Sequence, residues 1–138
     1  MLKIFYKMNI IKINKKGEND MKIGDTVVLN SGGPTMVINE VYGDQVECLW
    51  HNDCDSLTAS NFAQKTLTLL CINLNDEKII QVGDQVKFNT FPHTMTACEL
   101  IFDTKSGEIS KVRCIWFVKN SKQYGKFSPK LLTKVDEI

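Results

Sequence analysis

Gly24-Asp25-Thr26-Val27 returns in this chain as Gly83-Asp84-Gln85-Val86. At the same offset of 59, Asn30 returns as Asn89 and Thr35-Met36 as Thr94-Met95. Val46-Glu47-Cys48-Leu49-Trp50 returns as Val112-Arg113-Cys114-Ile115-Trp116 at an offset of 66, and Phe62 with Leu67 as Phe127 with Leu132 at 65. An internal repeat decides an architecture before any local pattern does. Each copy spans about 50 residues, near the lower limit for a core that stands alone.

Within a copy the pattern is that of short strands. Val27 and Leu29 alternate with polar or smaller neighbours, as do Val86 and Phe88, so these four are expected to point inward. Ser31-Gly32-Gly33-Pro34 reads as a turn. The second copy has Thr90-Phe91-Pro92-His93 there, and without the glycines its backbone must differ. The second strand is expected over 35–41 and again over 94–100. Tyr42-Gly43-Asp44 marks a tight hairpin, which the second copy lengthens over 101–111. Val46, Cys48 and Trp50 share parity opposite Glu47, which makes Trp50 and Trp116 equivalent core residues. Phe62 and Phe127 are read as sitting in short turns before a last strand. The expected fold is all-β: two tandem SH3-like small β-barrels packed together, the first over 21–70 and the second over 81–138, with a linker at 71–80.

Residues 1–20 match nothing in the second copy and are rich in Lys, Ile and Asn. Lys15-Lys16-Gly17-Glu18 can be encoded by a purine-rich string resembling a ribosome-binding site. We therefore read 1–20 as an N-terminal extension of translated leader, with Met21 as the start. The alternative is a real strand using Lys3-Ile4-Phe5-Tyr6.

The composition is that of an ordinary globular protein, 43% hydrophobic and 24% charged. No apolar run approaches the ~20 residues of a membrane span, so no membrane association is expected. Five cysteines, an odd number without a CxxC, read as reduced thiols in a cytoplasmic protein. The net charge of +1 hides an asymmetry. Residues 21–70 carry two lysines against six acids, and residues 81–138 carry nine basic residues against six acids.

The string Gly24-Asp25-x-Val27-x-Leu29-Asn30-Ser31-Gly32-Gly33-Pro34-x-Met36, followed by Val46-x-Cys48-x-Trp50, resembles the YodC-like family of small bacterial proteins. The resemblance covers residues 21–68. The second copy keeps only Gly83-Asp84-x-Val86, Thr94-Met95 and Cys114-x-Trp116. Asn30 stands where that family usually has lysine. The resemblance implies a small β-barrel and supplies no catalytic residue.

Three weak metal candidates, Cys48, His51 and Cys54, have a spacing that a loop could gather around zinc. Against them, Cys48 lies on the inward face, Cys114 has no matching partners, and a structural zinc site usually takes four ligands. No cofactor is expected, and a catalytic thiol lacks its base and oxyanion pocket. Ser31-Gly32-Gly33-Pro34 lacks the lysine and helix of a phosphate loop. The function expected is non-enzymatic binding: a small adaptor that engages a protein partner. Its candidate contacts lie in the second copy, with Phe91 as an exposed anchor beside His93, Tyr124, Lys119, Lys122 and Lys126. The alternative is a nucleic-acid- or ribosome-associated module using the same lysines. Residues 21–138 carry 12 basic and 14 acidic residues, which disfavours general nucleic-acid binding. A small-molecule substrate is not expected.

Overall fold

The computed structural model describes residues 21–73 and 79–135. The chain divides between Asn73 and Leu74 into two compact units. The reading of residues 1–20 lies outside the described residues, as do residues 74–78 of the expected linker.

The first unit contains β1 (Thr26–Leu29), β2 (Met36–Tyr42), β3 (Gln45–His51), β4 (Leu57–Ala63) and β5 (Leu67–Cys71). They form one antiparallel sheet in the order β4-β3-β2-β1-β5. The second unit contains β6 (Gln85–Lys87), β7 (Met95–Phe102), β8 (Ile109–Val118), β9 (Ser121–Phe127) and β10 (Thr133–Lys134), in the order β10-β6-β7-β8-β9. Strand for strand, the two orders are the same. The backbone pairing leaves two open five-stranded sheets, where closed barrels were expected. A single 3-10 turn, Gln64–Thr66, leads into β5.

The repeated Gly-Asp pair organises the entry to each sheet. Gly24 and Gly83 take φ of +93° and +100°, a region closed to most side chains. Each glycine N–H donates across to the second strand, Gly24 to the Ile38 carbonyl and Gly83 to that of Ala97, both at 2.8 Å. The return bonds run from Ile38 N–H to the Asp25 carbonyl (3.0 Å) and from Ala97 N–H to that of Asp84 (2.9 Å). The aspartate carboxylate closes the turn behind it. Asp25 accepts from the Lys22 N–H at 2.9 Å, and Asp84 from the Gln81 N–H at 2.8 Å.

This fixed start sets the parity of everything that follows. Val27, Met36, Ile38, Val46, Cys48 and Leu67 form the buried cluster of the first unit. Their counterparts Val86, Met95, Ala97, Val112, Cys114 and Leu132 are all buried in the second. The register of β2 against β3 shifts at Asn39, and that of β7 against β8 at the matching Cys98. A bulge at each point bends the strand and increases its twist.

Three local expectations need correction. Phe62 and Phe127 do not sit in turns; Phe62 is the last residue but one of β4, and Phe127 ends β9. Trp50 and Trp116 are not equivalent: Trp116 is 6% exposed, whereas Trp50 is only half-buried. The first sheet also buries Val37 and Leu49, paired neighbours on its other face. Their counterparts differ, Thr96 being exposed and Ile115 half-buried. Finally, Phe91 is buried, at 7% exposure. It stacks on Phe88 at 4.8 Å and meets Trp116 edge-on at 5.3 Å. A phenyl ring leaving a polar turn is better placed over two other rings than in water. That ring is also what seals Trp116.

The aromatic layer of the second unit leans on Gly125. A Cβ there would sit 2.6 Å from the edge of the Phe127 ring and 3.4 Å from Trp116. Sheet residues without side chains are often covered by a neighbouring ring in this way.

Two predictions follow from these environments. Trp116→Ala should cost about 3–5 kcal/mol in denaturant unfolding, and Trp50→Ala no more than about half of that; equal losses would contradict the difference in cover. The paired aspartates should titrate apart. Burial, opposed by the Lys22 and Asn73 N–H groups, raises the Asp25 carboxyl above the ordinary 3.8. The Gln81 N–H, with Lys134 beside it, lowers Asp84 below 3.8. Any stability from Asp25 is thus complete below pH 3.8 and lost as pH rises through its folded value. That from Asp84 is present above pH 3.8 and lost as pH falls through its lowered value. Carboxyl-detected NMR titration should find Asp25 protonating first on acidification; the reverse order would contradict it.

Candidate functional site

Strands β8 and β9 form the longest regular ladder of the second unit, paired from Val112↔Phe127 to Val118↔Ser121. Alternation sends Val112, Cys114 and Trp116 inward. It leaves Arg113, Ile115 and Phe117 on the other face, opposite Lys126, Tyr124 and Lys122 respectively. Six side chains thus share one outward strip. Phe117 is 63% exposed and Tyr124 58%. The Lys122 ammonium lies 5.2 Å from the centre of the Tyr124 ring, within cation–π range. Arg113 forms an ion pair with Glu99 at 3.1 Å, which tethers that end of the strip to β7.

The hairpin joining these strands is a two-residue turn, Lys119-Asn120, with φ of +46° and +70°. Positive φ at both positions is the geometry that suits the right-handed twist of a hairpin. Asparagine adopts it readily and lysine does not. Lys119 is therefore exposed at the hairpin tip, beyond the end of the strip.

Of the residues singled out from sequence, Tyr124, Lys122 and Lys126 come together on β9, with Lys119 at their end. Phe91 and His93 do not join them. They lie in the turn after β6, where the His93 ring meets Phe91 edge-on at 5.3 Å. The expected exposed anchor is instead part of the core. Ile115 and Arg113 were not singled out as contacts. Their signal was the odd-numbered alternation Arg113-Ile115-Phe117 running against the buried Val112-Cys114-Trp116.

The three metal candidates of the first unit are not brought together. Cys48 is fully buried in β3, while His51 lies three residues on, at opposite parity. The His51 ring nitrogen Nε2 is 2.5 Å from Asp55 Oδ1. Cys54 sits exposed in a turn ordered by Asn52, whose side-chain oxygen accepts from the N–H groups of Cys54 (2.8 Å) and Ser56 (3.1 Å). Burial pushes the thiols of Cys48 and Cys114 up to about 12.

Residues 22–67 match the model of a family described as an uncharacterized small protein, DUF2158. The match lies within the first unit and is consistent with the resemblance seen in the same residues. Comparisons with curated proteins and with solved structures gave no match.

No helix among the described residues is long and apolar enough to cross a membrane. Thiol labelling of the native chain should modify Cys54 before any other described cysteine, with Cys48 and Cys114 reacting only on unfolding, because the thiolate is the reactive form. Early labelling of Cys48, read by mass spectrometry of the peptides, would contradict its inward placement.

Proposed function

We propose that this chain is a small non-enzymatic binding protein built from two SH3-like modules, which engages a protein partner through the outward strip of β8 and β9. The SH3-like reading is supported by the shared strand order, the bent second strands and the 3-10 turn before β5. The observation that carries the binding reading is the pair of exposed rings, Phe117 and Tyr124, on one continuous strand ladder. Large aromatic side chains supply contact area at low entropic cost, and they dominate the energetically important positions of protein interfaces. The lysines around them would form a steering rim.

The same strip favours one other reading. Rings flanked by Lys122 and Lys126 are also what single-stranded nucleic acid uses, by base stacking and phosphate contact. Nucleic-acid binding would weaken steeply with salt, whereas a contact centred on two rings would not.

The test compares the parent with a Phe117→Ala, Tyr124→Ala double variant in affinity purification from the native host at low and high salt. We expect the variant to lose a specific protein seen with the parent at both salts, while its melting temperature changes little, since both rings are exposed. Retention by the variant would sink the strip as the interface. Recovery of RNA or DNA at low salt alone would favour the other reading.

A further inference from the structure

The two units can be compared side chain by side chain at the end of the sheet where their tryptophans lie. In the second, Phe88, Phe91, Trp116 and Phe127 form a closed layer: Phe91 stacks on Phe88 at 4.8 Å with 8° between planes, and stands edge-on to Trp116 at 85°. Trp116 and Phe127 meet at 6.3 Å. The first unit keeps the corresponding pair, Trp50 and Phe62, at 6.2 Å and a similar tilt. It has Leu29 where Phe88 stands, and Gly32 where Phe91 stands.

The closing hydrogen bond of the turn that should deliver the missing ring is retained. Gly32 N–H donates to the Leu29 carbonyl at 2.8 Å, and Phe91 N–H to that of Phe88 at 3.2 Å. The positive-φ positions differ, falling at Gly32 and Gly33 in one unit and at Thr90, the counterpart of Ser31, in the other. A Cβ built on either glycine would meet nothing within 4 Å. The consequence is visible in three residues at once. Leu29, Trp50 and Phe62 are all half-buried, whereas Phe88, Trp116 and Phe127 are all buried.

We propose that the first unit holds an aromatic seat against Trp50 that no ring of the described residues fills as Phe91 does in the second, and that its occupant is a phenylalanine-like side chain presented by a protein partner. Phe91 on Trp116 supplies the template: one ring against Leu29 as Phe91 lies on Phe88, edge-on to the tryptophan. The glycine turn lets a partner's backbone approach closely, having no side chain to displace. The unit around the seat carries two lysines against six acids over residues 21–70, so the segment bearing the ring is neutral or basic. This seat uses no residue of the strip on β8 and β9.

The test is selection of phage-displayed random dodecapeptides on the full chain, followed by binding to three variants. The first grafts the second unit's turn, Ser31→Thr, Gly32→Phe, Gly33→Pro and Pro34→His, so that the seat is filled from within. The second is Trp50→Leu, which removes the wall and decides the matter if the graft misfolds. The third is the strip variant Phe117→Ala, Tyr124→Ala. We expect selected peptides to share one aromatic residue at a fixed position. Binding should fall on the order of tenfold or more with the graft and with Trp50→Leu, and be unchanged by the strip variant. Peptides that bind the graft and Trp50→Leu as well as the parent would overturn the seat; their loss with the strip variant would leave the proposed function standing. Graft-sensitive peptides with clustered lysines and no shared aromatic would overturn the aromatic occupant in favour of a cation. Selection of no peptide at all would count against both the seat and peptide recognition by the strip.

Discussion

Each sheet depends on a backbone reversal that only a glycine followed by an aspartate makes cheaply. Gly24 and Gly83 turn the chain through positive φ, and the next carboxylate accepts the N–H three residues back. The reversal is bonded on both sides to the second strand, so it fixes where β1 meets β2 and where β6 meets β7. Register then leaves no choice of face. A slip of one residue would send Val27, Met36 and Ile38, or Val86, Met95 and Ala97, to the wrong side. The requirement is tightest at Gly24, where any Cβ would fall 2.0 Å from the Asn73 amide nitrogen.

On that common frame the units have diverged at their aromatic ends. The second has filled its own gap with Phe91, made room for Phe127 with Gly125, and carries two exposed rings, Phe117 and Tyr124, on the outward face of β8 and β9. The first has two glycines in that turn and leaves Trp50 partly open. The frame is therefore shared, whereas the surfaces through which the units could meet other molecules are not. Net charge runs the same way, acidic in the first copy and basic in the second.

Much of the frame was legible because it repeats. The six buried pairs from Val27 and Val86 to Leu67 and Leu132 follow from period two read twice over. The Gly43-Asp44 hairpin follows from turn chemistry. The fourth strands were not legible. Leu57–Ala63 and Ser121–Phe127 lie at sheet edges, and Ala59-Ser60-Asn61 in one and Lys122, Tyr124 and Lys126 in the other are exposed. A strand without a continuous buried face gives little alternation to read. The difference between the tryptophans is hidden from sequence for another reason. Parity says which way a side chain points, not whether a loop elsewhere covers it. Nor does a turn residue such as Phe91 announce whether its ring folds back, since its own turn is polar on either outcome. Of the strip, Tyr124, Lys122 and Lys126 were found by residue type, but their assembly with Phe117 and Ile115 needed the β8–β9 register.

The return of the last strand to the first has a kinetic meaning. Hairpins between neighbouring strands close small loops, but pairing β5 with β1, or β10 with β6, closes almost the whole unit. In the first unit that closure is held by four paired positions along β5, from Cys71 to Leu67. In the second it rests on two, Thr133 and Lys134, together with the Lys134–Asp84 ion pair at 3.3 Å and the buried Leu131 and Leu132. Side-chain burial thus replaces backbone ladder at the C-terminal seam. The second unit has a seam that can open as a small cooperative piece while the four strands β6 to β9 stay paired, whereas in the first unit the same excursion must break a longer ladder.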